Sequence, residues 1–96
     1  MAVDVRVTRR AGLQFALITD YLNARNPAAA RRFEERFTAA ARQLSDFPLS
    51  GARGRTGTRR LSVRPYVLTY RVTAAGVEIL DVRHGRQREM PLPEDE

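Results

Sequence analysis

The sequence predicts an α+β fold, a β-α-α-β-β-β two-layer sandwich in which a helical hairpin lies on one face of a largely antiparallel sheet. Three observations predict it. Apolar residues alternate with charged or polar ones at Val3, Val5 and Val7, and again from Arg59 onward, which is the period of a half-buried strand. Between these stretches, two longer segments repeat apolar residues at spacings of three and four, the period of an amphipathic helix. Asn26-Pro27 separates the two helical segments. With 96 residues there is room for one domain and one modest core, expected over residues 1–90, with 91–96 as a flexible acidic tail.

The elements follow in order. Residues 2–7 read as an edge strand, and Thr8 is placed to cap a helix that runs to about Ala24. In that helix Leu13, Leu17 and Tyr21 form one row, and Phe15, Ile18 and Leu22 form an overlapping second row, so the stripe is wide enough to touch both a sheet and another helix. Asn26 caps the next helix and Pro27 takes its first position, where a missing amide costs nothing. Ala30, Phe33, Phe37, Ala40, Leu44 and Phe47 make its packing seam, and Pro48 ends it. The short link between the helices predicts an antiparallel pair. Residues 51–58, rich in glycine and arginine, are expected to form a mobile, exposed, positive loop.

Three strands complete the chain between Arg59 and Arg88. Tyr66, Leu68, Tyr70 and Val72 oppose Val67, Thr69 and Arg71, and Thr73-Ala-Ala-Gly76 links this strand to the next as a hairpin. In the last strand the alternation shifts phase: Val77 and Ile79 fall on one face, and Leu80, Val82 and His84 on the other. Such a shift implies a bulge, or a central strand covered on both faces.

Composition narrows the function. Without cysteine, and with one histidine, neither a disulfide framework nor a transition-metal site is expected, and no cofactor is called for. Residues 1–7 carry a charge at nearly every second position from Asp4 and read neither as a secretory signal nor as a membrane span, so a cytoplasmic protein is expected. The net charge is +6, all 17 basic residues are arginine, and the last three residues are acidic, so the body is more basic still. A basic body points to a polyanionic partner, nucleic acid or an acidic protein segment. The preference for arginine suits bidentate phosphate or carboxylate recognition, and follows equally from a GC-rich genome.

His84 is the one side chain that ordinarily titrates near neutrality, which makes it the best general acid or base; it serves equally as a backbone-bonded histidine ordering the C-terminal turn. Arg60, Arg64 and Arg71 project from the face opposite Tyr66 and Tyr70, where they can bind phosphates or form a solvated surface. Arg83, Arg86 and Arg88 cluster in sequence with His84 and extend the candidate anion-binding set. Tyr66 and Tyr70 read as packing residues, and Glu34 and Glu35 as surface partners of Arg31, Arg32 and Arg36.

Taken together, Asn26-Pro27-Ala-Ala-Ala, Phe33, Leu44, Phe47-Pro48-x-x-Gly51, Arg59-Arg60-Leu61, Tyr66-Val-Leu-Thr-Tyr70-Arg71-Val72 and Val77 to His84 resemble the RelE/ParE toxins of type II toxin-antitoxin systems, over roughly residues 3–90. The resemblance implies a cognate antitoxin whose acidic, partly disordered segment wraps the toxin. It also implies one of two targets, DNA gyrase or ribosome-bound mRNA. Leu13, Leu17, Tyr21, Phe33 and Phe37 are the residues expected to meet the antitoxin. Ribonuclease members commonly carry arginine directly after the tyrosine that opens the second sheet strand, and here that position is Val67. The loop at 51–58 also lacks the glutamate and lysines found in some of them. A gyrase-directed, ParE-like toxin acting by binding is therefore favoured over an mRNA interferase using His84, Arg64 and Arg88. A plain nucleic-acid-binding module is the third reading, and it has no aromatic platform on the arginine face.

Overall fold

The structure, a computed structural model, describes residues 2–86. Its elements are β1 (Val5–Val7), α1 (Arg9–Arg25), α2 (Pro27–Asp46), β2 (Ala52–Arg53), β3 (Arg59–Val63), β4 (Tyr66–Thr73) and β5 (Gly76–His84). They form a five-stranded sheet in the order β1-β5-β4-β3-β2, with the helical hairpin packed against it. Only the β1–β5 pairing is parallel. The α+β sandwich expected from the sequence is present, with one strand added.

Local chemistry sets the boundaries. The Thr8 hydroxyl accepts from the Ala11 amide at the start of α1, and both its hydroxyl and its amide donate to the Ile79 carbonyl, at 2.9 and 3.0 Å. One buried residue thus caps a helix and joins it to the sheet. Asn26 serves both helices: its amide closes α1 on the Leu22 carbonyl, and its side chain accepts from Ala29 at the start of α2. The α2 seam is buried at Ala30, Phe33, Phe37, Ala40 and Leu44, and all of these but Ala30 share one core cluster with Leu68, Tyr70, Val77, Ile79 and Val82 of the sheet.

The phase shift in β5 is a bulge. Tyr70 pairs with Ile79 and Thr69 with Asp81, which leaves Leu80 as the extra residue, and β5 is also the strand between β1 and β4. The hairpin turn needs Gly76, whose φ is +134°, because a Cβ there would run into the Asp4 carbonyl.

Several details differ from expectation. β1 starts at Val5, since before it Val3 is bonded to Ser45 of α2 instead of to a strand. The loop at 51–58 contains β2, paired with Arg59 and Arg60 of β3. Its turn is closed by the Gly54 amide on the Thr58 carbonyl and the Thr58 amide on the Arg55 carbonyl, at 2.9 and 2.8 Å. Phe47 lies outside the seam, because it is the C-cap residue of α2 and faces solvent. The expected tail at 91–96 lies outside the described residues.

Candidate functional site

The two rows of α1 have different fates. Phe15, Ile18 and Leu22 pack against the core, whereas Leu13, Leu17 and Tyr21 are 60%, 68% and 55% exposed. An uncovered apolar row of this kind on a small domain marks a surface that another molecule can cover. Beside it runs a groove of about 730 Å³. Leu17, Ile18 and Tyr21 form one wall, Tyr66, Val82 and His84 the other, and Arg10, Gln14, Asp81 and Arg83 line it too.

Each lining residue has a physical reason for its place. β1 ends at Val7 opposite Ile79, so the edge of β5 beyond that point has no strand beside it. Gln14 fills the gap: its carbonyl oxygen accepts from the Val82 amide at 2.8 Å, and its amide nitrogen donates to Asp81 Oδ1 at 2.9 Å. Asp81 is fully buried, with Arg10 at 3.3 Å from Oδ1 and Arg83 at 3.2 Å from Oδ2. Oδ2 is in ion-pair range of Arg83 but lacks hydrogen-bond geometry, so its charge is compensated and its lone pairs are not. Tyr66 meets the Phe33 ring at 4.9 Å and the His84 ring at 5.6 Å, both edge-on. Burial pushes the Tyr66 hydroxyl above its usual range, and the neighbouring Tyr21 adds to that. Arg25 stacks 4.0 Å from the centre of the Tyr21 ring, holding it over the groove.

Of the arginines expected to form one anion-binding surface, two are drawn into ion pairs. Arg71 donates to Glu78 at 2.8 Å, and Arg6 binds the same carboxylate from the neighbouring strand. These two guanidinium groups hold the Glu78 carboxyl below its usual range. Arg83 faces Asp81. Two members of the expected set, Arg71 and Arg83, therefore belong to ion pairs within the chain: register sets Glu78 opposite Arg71, and alternation sets Asp81 on the same face of β5 as Arg83. Arg60 is exposed on β3. Arg64 sits in the β3–β4 turn, before a cis peptide to Pro65, and its carbonyl accepts from Arg36 at 2.9 Å. Arg86 is exposed, and its amide donates to His84 Nδ1 at 3.1 Å. Arg88 lies outside the described residues.

One further correction follows. Phe33 and Phe37, expected to meet a partner, are 3% and 8% exposed and belong to the core; α2 turns its seam toward the sheet and leaves nothing of either ring to share. Of the pair expected to act together in a ribonuclease, His84 lines the groove beside α1 and Arg64 a second hollow beside Arg36 and Gln43 of α2, while the Gly85 amide donates to the Pro65 carbonyl at 2.9 Å and keeps the two chain segments adjacent. The groove can hold an apolar helix or loop, with polar groups at one end to orient it. Among the described residues there is no cluster of three or more metal-ligating side chains, and no helix is long and apolar enough to cross a membrane.

Sequence reasoning did not find Gln14 or the Asp81 network. A carboxylate inside the apolar run Val77 to Val82 is a usable signal for the second; nothing local distinguishes Gln14.

The chain matches, over residues 5–89, the family model described as ParE toxin of type II toxin-antitoxin system, parDE. A chain of the solved structure "Chromosomal ParDE TA system from P. aeruginosa" aligns with a TM-score of 0.74 and 19% identity, over 86% of this chain and 96% of that one. At that identity the likeness is one of fold. No curated protein matches the chain significantly.

Proposed function

The chain belongs to the ParE family of toxins from type II toxin-antitoxin systems, and from that premise we propose that it arrests growth in the cytoplasm by binding DNA gyrase, and that a cognate antitoxin neutralises it by covering α1. The observation that carries the second half is the exposed row Leu13, Leu17 and Tyr21 beside a ready groove. A partly disordered antitoxin segment gains affinity by burying that row as an amphipathic helix, offsetting its own ordering cost.

Action by binding, with no bond made or broken, is supported by what an RNase would lack. Cleaving RNA without a metal needs a base, an acid and cations converging on one phosphate. Here Arg71 and Arg83 are paired with carboxylates, and Val67 stands at the position where ribonuclease relatives commonly carry arginine.

The test uses purified toxin with gyrase and, separately, with translating ribosomes. Inhibition of supercoiling or trapping of cleaved DNA, with ribosome-bound mRNA intact and His84→Ala still active, is the expected result. Cutting of mRNA in the ribosomal A site that disappears in His84→Ala overturns the gyrase assignment.

A further inference from the structure

A second surface lies at the other end of β4. Leu49 and Val72 floor a hollow of about 380 Å³, and Arg53 and Arg59 stand at its sides. Leu49 is 64% exposed, as is Phe47, two positions before it, at 67%. Tyr66 lines the α1 groove and Val72 this hollow, so the two sites are about 20 Å apart along the strand, at roughly 3.3 Å per residue.

The backbone that carries these side chains is held by four hydrogen bonds. The Tyr70 hydroxyl, fully buried, donates to the Pro48 carbonyl at 2.8 Å and accepts from the Gly51 amide at 2.9 Å. Arg59 donates to the carbonyls of Leu49 and Gly51, at 3.2 and 2.9 Å. A Cβ on Gly51 would stand 2.7 Å from the Tyr70 ring, so the chain is pressed directly onto that tyrosine. Arg55 follows Gly54, which lines the hollow, in the closed turn of the β2–β3 loop. Apolar side chains on a clamped backbone are preorganised for contact, and the backbone's ordering cost is met before any partner arrives.

Charge identifies the partner. Arg53 and Arg59 line the hollow, and residues 47–58 contain no acidic residue. Arg53 and Arg55 are exposed. An aliphatic floor with an arginine rim is the pattern of a protein interface. Single-stranded nucleic acid would call for a series of stacking rings, and Phe47 is the one aromatic exposed here. A second copy of this chain would set arginines against arginines.

We propose that this end of the molecule docks an acidic segment of a partner protein, which places an aliphatic side chain between Leu49 and Val72 and carboxylates on Arg53 and Arg55. The site is separate from the α1 row and stands whatever covers that row.

The test pans a random twelve-residue peptide library against the full chain and measures the selected peptides against three variants. Peptides carrying several Asp or Glu around a Leu, Ile or Val are expected. Their affinity should fall about tenfold or more for Leu49→Ser and for the double variant Arg53→Glu/Arg55→Glu, the scale of losing an interface anchor. Leu17→Ser, at the other end of β4, should bind them as the parent does. All four substituted positions are exposed, and a melting curve for each variant confirms that it folds. The proposal is overturned if no peptide is enriched, if the enriched peptides are not acidic, or if they bind the variants as tightly as the parent. It is equally overturned if twelve-nucleotide single-stranded DNA binds more tightly than any peptide and is insensitive to Leu49→Ser.

Discussion

Replacing Tyr70 by phenylalanine removes one oxygen from the most enclosed aromatic side chain in the fold and keeps its ring. That oxygen accepts from Gly51 at 2.9 Å and donates to Pro48 at 2.8 Å, and Gly51 itself is buried. Each net hydrogen bond is worth about 1 kcal/mol, and a buried amide left without a partner costs about 1–3 kcal/mol. A loss of about 2 kcal/mol is therefore expected, since the Pro48 carbonyl is partly accessible and water can take over there. For a domain of this size each kcal/mol moves the melting temperature by about 4–8 °C, so Tyr70→Phe should melt roughly 8–16 °C lower. Urea unfolding should show a lower midpoint with an unchanged slope, the sign of lost stability without a change in exposed surface. Amide exchange at Gly51 should accelerate more than exchange in the α2 interior. A variant within about 0.5 kcal/mol of the parent, with Gly51 still protected, would refute the idea that this hydroxyl clamps residues 48–51.

Gln14→Ala leaves the Val82 amide and Asp81 Oδ1 without their partner and should cost about 1–3 kcal/mol, with faster exchange at Val82 as the local readout. Gly76→Ala forces a side chain toward the Asp4 carbonyl at a positive φ and should cost more than about 2 kcal/mol by denaturant unfolding. Glu78 has a lowered pKa in the folded chain, so it releases its proton more readily there than in the unfolded chain. Its stabilisation is complete above the unfolded value near pH 4.3 and is lost as pH falls through the folded value. Because Arg6 and Arg71 are well exposed, the effect should stay below about 1 kcal/mol, and Glu78→Gln should flatten the acid side of a stability-against-pH curve accordingly.

What the sequence made legible was local chemistry. The capping roles of Thr8, Asn26 and Pro27 act within one helical turn, so they were readable without knowing the fold; the bonds from Thr8 to Ile79 were not. The bulge at Leu80 announced itself as a shift in alternation. Facts that depend on which element lies opposite which were not readable. Periodicity marks Phe33 and Leu17 equally as apolar faces, and only packing decides that one meets the sheet and the other meets solvent. β2 is two residues of a Gly- and Arg-rich loop, a composition that speaks against a strand; its partner β3 overrides it. Arg71 read as free charge because Glu78 is its cross-strand neighbour, fixed by register and invisible to a count of charges, whereas the Asp81–Arg83 pair, two positions apart on one strand, was open to the alternation rule and was missed. The clamp made by Tyr70 joins residues 19 and 22 positions apart, and no spacing rule signals it.

The proposed role of α1 is tested most directly by titrating the cognate antitoxin into the parent and into Leu17→Ala. Fully burying a leucine is worth about 1.5–3 kcal/mol, and 68% of Leu17 is still open, so covering it should contribute about 1–2 kcal/mol. The variant should bind the antitoxin roughly 5–30 times more weakly while the free chain melts within about 2 °C of the parent, since alanine keeps the helix and the core loses nothing. Unchanged affinity, or a weakening matched by an equal loss of stability in the free chain, would contradict the assignment of α1 as the neutralised face.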